Sequence, residues 1–461
     1  MNRYSQVFLT PAGDDSAAKV YHSRRQKMLK KLQTVGIFAG MDRNPGSEEV
    51  FTEIGNKMVQ DPAMLFLTGL NEPGCRLILN PLAENAAERE VLFLEEKDAF
   101  REFWTGIKVA YSEEGLDEIK KLTGFKTILP KRKFWNYLKK IVEEKSISKL
   151  EAFYLDFFFR NKKFQTKDDH NWKFAQELKR KFKGKCQIES LAFKHFMLRA
   201  VLDPMRIADS RRAQEWTKNA YEEFLRNFHS FKTERDAALF LNYKMQVQSD
   251  GDLAFPTIMA CGENACCLHY VKNDEPLQDG KLVLMDFGIR AGTQHSDISR
   301  TIPVNGKFNA LQKILYEIVL DAQKFHQQQV KPGECLCKLD ANVWLFILKA
   351  LQERFVSLGG KYKLLYDKRP HGVSHLIGEQ IHEGDPVRIY RYEPLEPGML
   401  ISNEPGLYGY FEIDLNGVHY AENIGIRIEN DLLITQNGCE DISKNLPREI
   451  AEIEALMTPK K

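Results

Sequence analysis

The chain of 461 residues lacks most of the signals that would assign it a place or a partner at a glance. No segment reaches the roughly 18 consecutive apolar residues of a membrane span. The opening stretch, MNRYSQVFLTPAGDD, has no apolar core of signal-peptide length. A net charge of +2 excludes a global field that would draw it to nucleic acid or to a membrane surface. Its eight cysteines form no CxxC pair and no dense framework, so free thiols in a reducing compartment are the simpler reading. These absences predict a cytoplasmic protein with neither nucleic acid nor membrane as partner. There is no P-loop, no Rossmann glycine fingerprint, no internal repeat and no low-complexity segment. What remains, 43% hydrophobic and 28% charged residues, is ordinary for a globular protein of two or three domains.

The first 190 residues alternate short apolar runs with amphipathic stretches. Strands are expected at Ile37–Ala39, Met64–Leu67, Leu77–Leu79, Val91–Leu94, Thr127–Leu129 and Phe153–Phe159. Helices are expected at His22–Thr34, Lys131–Glu144 and Asn171–Lys183, which makes an α/β domain over 1–190. Basic clusters from Lys131 and Lys179 read as solvated helix faces, because acids lie close by. A boundary falls near Lys185–Lys194, and a second domain runs over 195–461. There, Ala213, Trp216, Ala220, Phe224 and Phe228 recur at helical spacing, so Ala208–Ser230 is an amphipathic helix. Thr233 and Asp236 form a capping box for another helix, to about Gln248. Two further helices are expected at Lys307–Gln328 and Lys338–Phe355.

The most informative stretch is KLVLMDFGIRAGTQHSDISRT, Lys281 to Thr301. Its apolar ends and the Ala291-Gly292 turn signal predict an antiparallel hairpin. A turn centred on Ala291-Gly292 places Asp286 directly opposite Asp297, with Cβ atoms roughly 4.5–5.5 Å apart. Two carboxylates that close repel unless a positive charge lies between them, and divalent cations are the usual answer. The alternative is a pair of exposed acids, but Asp286 follows four apolar residues.

HGVSHLIGEQIHEG, from His371, places three of the chain's 11 histidines within twelve positions. Gly372, Gly378 and Gly384 argue against a helix there. Such clustering favours ligation or proton transfer over packing. His269, beside Cys266 and Cys267, says little alone. Glu404 ends an apolar run before Pro405-Gly406. In NIGIRIEN, period-two alternation puts Arg427 and Glu429 together, away from Ile424, Ile426 and Ile428. The run continues to Leu432–Ile434, which suggests a central strand.

Asp286, Asp297, His375, Glu404 and Glu429 together supply four carboxylates and one imidazole. That set suits Mn²⁺, with Co²⁺ or Zn²⁺ as substitutes. Four carboxylates balance two divalent cations and leave room for a bridging hydroxide, the composition of a two-metal hydrolase.

The second half resembles the pita-bread metallopeptidases, which include methionine aminopeptidase, prolidase, aminopeptidase P and creatinase. Within them it most resembles aminopeptidase P. The resemblance rests on LHY at Leu268, DFG at Asp286, SDISRT at Ser296, HGVSH at His371, HEG at His382, NEPGLY at Asn403 and GIRIEN at Gly425. FLTGLNEPG from Phe66, VLFLEE from Val91 and FWTGIK from Phe103 extend it over the first half. It implies an α/β N-terminal domain followed by an α+β pita-bread catalytic domain, and cleavage between an N-terminal residue and a following proline.

The resemblance also implies roles. Asp286 would bind one metal and His375 the other, with Asp297 and Glu429 bridging. Glu404 would bind the His375 metal and shuttle a proton. His269, His371 and His382 would line the substrate side, and Arg427 would orient the carboxylates beside it. Peptides with penultimate proline are the implied partners, and a homo-oligomer, dimer or tetramer, the implied assembly. A dipeptidase, or a peptide-binding protein without catalysis, would share the fold. The chain departs from the family at Glu379 and Gln380, where apolar residues are common, and at Leu202 and Arg206, where Lys and Glu are common. The second departure is expected to touch a local ion pair rather than the site. Val59 stands where an Arg is frequent.

Overall fold

The computed structural model describes residues 7–10, 16–42, 60–155, 169–249, 252–367, 369–385 and 388–459. Val59 and the 156–159 end of one expected strand lie outside these. The chain divides into two compact units, Met1–Arg199 and Ala200–Lys461.

The first unit is built on a six-stranded mixed sheet. Its strands are β1 (Gly36–Ala39), β2 (Arg76–Leu79), β3 (Glu90–Leu94), β4 (Thr127–Pro130), β5 (Lys149–Ala152) and β6 (Gln187–Ser190), in the order β4-β3-β2-β1-β5-β6. The period-two alternation of β1 divides the apolar side chains between two cores. Phe38 packs with Met28, Leu77 and Leu92, whereas Ile37 and Ala39 pack with Ile78, Val91 and Leu150. The helices are α1 (Ala17–Lys31), α2 (Pro62–Thr68), α3 (Ala99–Thr105), α4 (Leu116–Thr123), α5 (Phe134–Glu144), α6 (His170–Lys181) and α7 (Ala192–Ala200).

One expected strand is a helix. Met64–Leu67 lies inside α2, because the Asp61 side chain accepts from the Ala63 and Met64 backbone N–H groups and Pro62 opens the first turn. Gly69, at φ +69°, closes it. The strands β5 and β6, of four residues each, and the helices α3 and α4, of seven and eight, are too short for a period to stand out in the sequence. Phe153 follows the end of β5 rather than opening a strand.

The second unit opens with α8 (Pro204–Asn227) and α9 (Glu234–Gln246), the latter started by the expected Thr233–Asp236 capping box. Strands β7 (Ile258–Cys261), β8 (Leu282–Phe287), β9 (Arg290–Ala291), β10 (Gln294–His295) and β11 (Ile298–Pro303) follow, then α10 (Ala310–Gln329) and α11 (Leu336–Arg354). The rest is β12 (Lys361–Leu364), β13 (Leu400–Asn403), β14 (Gly406–Leu415), β15 (Val418–Arg427), β16 (Asn430–Ile434), β17 (Cys439–Asp441) and α12 (Ile450–Met457). The three-stranded sheets β11-β8-β7, β12-β14-β15 and β13-β16-β17 are antiparallel throughout. One core joins Phe224 of α8, Leu315 and Val319 of α10, Val283 and Met285 of β8, and Ile424 and Ile426 of β15.

The long run through Ile434 is not one strand. β15 pairs with β14, whereas β16 pairs with β13, and the chain changes sheets at Ile428-Glu429. The Glu429 N–H donates to the Ser299 carbonyl of β11 at 2.9 Å, and its own carbonyl accepts from the buried Arg300 guanidinium. The crossover is therefore fully hydrogen-bonded, and it sets the Glu429 side chain beside β11. No described helix is long and apolar enough to cross a membrane.

Candidate metal centre

The hairpin of β8 to β11 has a different register from the expected one. Ala291 pairs with Gln294, so the loop residues are Gly292 and Thr293. A two-residue loop of this kind needs a left-handed residue at its first position, and Gly292 provides it at φ +58°. The slip of one residue moves every pair by two. Asp286 faces Ser299, and Asp297 stands two residues before Ser299, just outside the ladder. The two carboxylates still interact, and Asp297 helps to raise the Asp286 carboxyl.

Ligand atoms of Asp297, His375 and Glu429 all lie within 4.8 Å of one another. His375 Nε2 lies 3.3 Å from Asp297 Oδ2 and 3.4 Å from Glu404 Oε1. The His375 Nδ1–H donates to the Leu376 carbonyl at 3.1 Å, which leaves Nε2 to face the carboxylates. The loop carrying His375 is held on β13. His375 N donates to Ser402 Oγ, and Ser402 Oγ donates to Glu404 Oε1 at 3.2 Å. Asp286 is outside the tight group of three. Arg427 ties it in, donating from Nη2 to Asp286 Oδ2 at 2.6 Å. The same guanidinium donates from Nε to Ser299 Oγ at 2.7 Å, and Ser299 donates to Glu429 Oε2 at 2.8 Å. Arg427 is only 3% exposed, so it is no surface charge.

The histidines outside the cluster take separate positions. The His382 ring lies edge-on to His375, with centroids 4.4 Å apart. His371 donates from Nδ1 to the Gly372 carbonyl, and its Nε2 accepts from Tyr408 Oη at 3.1 Å. His269 is exposed and lies close enough to depress both His371 and His382 by its charge. The segment from His371 is not helical. Leu376 pairs with both Glu383 and Ile401.

The electrostatics are those of too many acids in one place. Burial, then the charge of Asp297, pushes Asp286 up to about 6 against the pull of Arg427. Burial and the neighbouring Asp297 and Asp286 take Glu404 up to about 7, and the same causes lift Glu429 well above the carboxylate range. Burial alone would lower His375, but its hydrogen bond to Asp297 and the charge of Glu404 raise it to about 9. Burial holds His371 and His382 at about 4, so both are neutral near pH 7. Asp286 Oδ1 is buried without a hydrogen-bond partner. An orphaned carboxylate oxygen beside three more acids fits divalent cations, whose binding would release the protons now shared among them.

Three participants were not singled out from sequence. Ser299, Ser402 and Tyr408 lie two, two and four positions from Asp297, Glu404 and Glu404, and that nearness was the one signal the sequence offered for them. The Arg206 departure also proves to be more than local. Its guanidinium Nη1 donates to Glu379 Oε2 at 2.9 Å, inside the histidine loop.

The sequence profile of Metallopeptidase family M24 matches residues 208–436, and that of the Aminopeptidase P, N-terminal domain matches residues 21–150. Xaa-Pro aminopeptidase 3 of Rattus norvegicus is 30% identical over 408 residues, covering 86% of this chain and 76% of that protein. Xaa-Pro aminopeptidase of Escherichia coli is 27% identical, covering 95% and 97%. Among solved structures, zinc-substituted E. coli aminopeptidase P in complex with product superposes with a TM-score of 0.75 at 25% identity, covering 95% of this chain and 98% of that one. The aminopeptidase PepP of Pseudomonas aeruginosa gives the same TM-score, identity and coverage.

Proposed function

The chain belongs to metallopeptidase family M24, and within it to the aminopeptidase P group, and from that premise we propose that it releases the first residue from peptides whose second residue is proline. The observation that carries this reading is the convergence of Asp297, His375 and Glu429 from three separate segments. In this reading Asp286 would hold one divalent ion, His375 and Glu404 would hold the other, and Asp297 and Glu429 would serve both. Mn²⁺ is the ion proposed, because four carboxylates with one imidazole suit a hard to borderline cation. Two such ions would polarise the scissile carbonyl and lower the pKa of a water at the site.

The bond before proline is a tertiary amide with no N–H, so a protease that needs that donor cannot grip it. The side chains here grip the carbonyl side instead. In this reading His382, whose ring lies 4.4 Å from that of His375, and His269 would donate to the oxygen that gains charge in the tetrahedral intermediate. On the same reading Glu404, whose Oε1 lies 3.4 Å from His375 Nε2, would take a proton from the attacking water and return it to the leaving proline nitrogen. Arg427 keeps Asp286 and, through Ser299, Glu429 in place. A cytoplasmic location and a homo-oligomer of two or four chains belong to the same proposal, and all eight cysteines are free, as a reducing compartment would have them.

The test is release of the first residue from Xaa-Pro-Xaa tripeptides, with and without added Mn²⁺, beside a bare Xaa-Pro dipeptide. Turnover of the tripeptide that depends on metal is expected. Turnover of the dipeptide alone would replace this reading with a dipeptidase, and no hydrolysis of either would remove it.

A further inference from the structure

His375 and His382 stand at the two ends of a short excursion of the chain. Leu376 pairs with Glu383 across it, the Glu383 N–H donating to the Leu376 carbonyl at 2.8 Å. The result is a narrow hairpin that brings the His382 ring back to 4.4 Å from the His375 ring. His382 belongs to no strand or helix itself, so its position depends on how this short hairpin is held.

Within the hairpin, the Gln380 N–H donates to Glu383 Oε2 at 3.3 Å, and two side chains from outside reach its tip. His295 of β10 donates from Nδ1 to the Gly378 carbonyl at 2.9 Å. Arg206, in the first turn of α8, donates from Nη1 to Glu379 Oε2 at 2.9 Å, and the two side chains are 1% and 0% exposed. A fully desolvated pair is strong only while both partners are present, and loss of either leaves a charge stranded. Arg206 is itself fixed at the helix start, its N–H donating to Asp203 Oδ1 at 3.2 Å and its Nε lying 3.6 Å from Asp203 Oδ2. The helix end is thus a post and Glu379 the point at which the hairpin is tied to it.

We infer that Arg206 and Glu379 are positioning residues, an ion pair that ties the histidine hairpin to α8 and sets the His382 ring over the site. The inference rests on the proposed peptidase reading for its kinetic consequence, but not for its geometry. A misplacement of a transition-state donor by about 1 Å can cost roughly 10²-fold in rate while substrate still binds. The pair therefore governs kcat rather than KM, and it does so without touching the metal ligands.

The experiment is a double-mutant cycle of Arg206→Met, Glu379→Met and the double variant. It reads kcat and KM on an Xaa-Pro-Xaa peptide, bound Mn²⁺, and the rate at which diethyl pyrocarbonate modifies His382. Each single change is expected to lower kcat roughly 10- to 100-fold with KM and Mn²⁺ content unchanged, and to alter the His382 modification rate. The double variant should be no worse than the worse single one, because the two residues act as a unit. Arg206→Lys, which keeps a cation for Glu379, should recover part of kcat. Additive losses, an unchanged kcat in the single variants, or loss of Mn²⁺ would each overturn the inference. If a single variant folds poorly, Glu379→Gln keeps the hydrogen bond and drops the charge, and its modification rate should lie between wild type and Glu379→Met; a wild-type rate overturns it. Should the wild-type protein be inert towards these peptides, the functional reading fails, and the His382 modification rates still decide whether the pair ties the hairpin.

Discussion

Buried acids are treated in opposite ways in the first unit and at the candidate site of the second. In the first, each buried acid is matched by donors. Glu90 accepts from Arg25 Nε at 2.7 Å, with Gln26 and His22 also on its carboxylate. Buried Asp61 accepts from Asn171 Nδ2 at 2.8 Å and lies 3.4 Å from His170 Nε2, and these partners overcome burial to keep its carboxyl below the usual range. In the second unit, Asp286, Asp297, Glu404 and Glu429 share one arginine and one histidine, and three of the four are pushed upward. Acids surrounded by cations are architecture. Acids crowded against acids are kept only where another positive group is to bind, and that contrast separates site from scaffold.

The contrast breaks most visibly at the shared acids. Asp297→Ala and Glu429→Ala are each expected to abolish turnover, because each removes a carboxylate placed between the proposed ions. Folding should survive, since the core of the second unit does not include these side chains and burial and repulsion already penalise the Glu429 charge. Wild-type activity in either purified variant would show that the crowd of acids is not a metal site.

Next in size is the separation of ligand from donor among the histidines. His382→Ala should lower kcat roughly 10²–10³-fold with metal content unchanged, as loss of a transition-state donor does. His375→Ala should lose metal as well as rate. Metal analysis of the two variants side by side checks this, and the reverse pattern would mean that the roles are exchanged.

Much of this site was legible because its residues sit in short, chemically improbable strings. Three histidines in twelve positions, or an acid after four apolar residues, have few structural explanations. What misled was local. Met64–Leu67 was read by its apolar run, when the Asp-Pro before it and the glycine after it were the stronger signals. The hairpin was centred by composition, when the backbone demand of its loop decides the register. Arg427 was readable from alternation, but not what it holds, since its bonds to Asp286 and Ser299 span 141 and 128 positions. The Arg206–Glu379 pair, 173 residues apart, has no local pattern at all. Its two members stood out as separate departures from a family, and nothing in the sequence said that they meet.

Arg427 supplies the smaller catalytic prediction. Among the described residues it is the arginine hydrogen-bonded to the crowded acids, and in this reading it orients ligands rather than binding metal. Arg427→Ala should reduce metal affinity and activity by roughly 10–100-fold, the usual cost of losing such support. Normal metal retention and turnover would show that Asp286 and Glu429 hold their places unaided.

The smallest effect concerns stability, and it tests the comparison itself in the metal-free protein. His375 is raised from 6.5 to about 9 in the folded state. A group raised on folding stabilises fully below its unfolded value and loses that contribution as pH climbs through the folded one. Glu404, raised from 4.5 to about 7, adds a loss of the same sign over the lower part of that range. His371 and His382 are depressed to about 4, so their contribution changes only below 6.5 and does not oppose this. The metal-free second unit should therefore weaken as pH rises from 6.5 towards 9. Among the described residues the first unit has one counterpart, His170, raised by its bond to Asp61, while Asp42 and Asp61 are depressed and ionised across that window. Proteolysis at fixed urea, with fragments assigned by mass, reads the two units separately at both ends of the window. Added Mn²⁺ should flatten the slope of the second unit alone, since bound ions favour ionised carboxylates and a neutral imidazole. An equal response of both units to Mn²⁺, or a second unit that strengthens with rising pH before metal is added, would show that the crowding of its acids is already relieved within the chain.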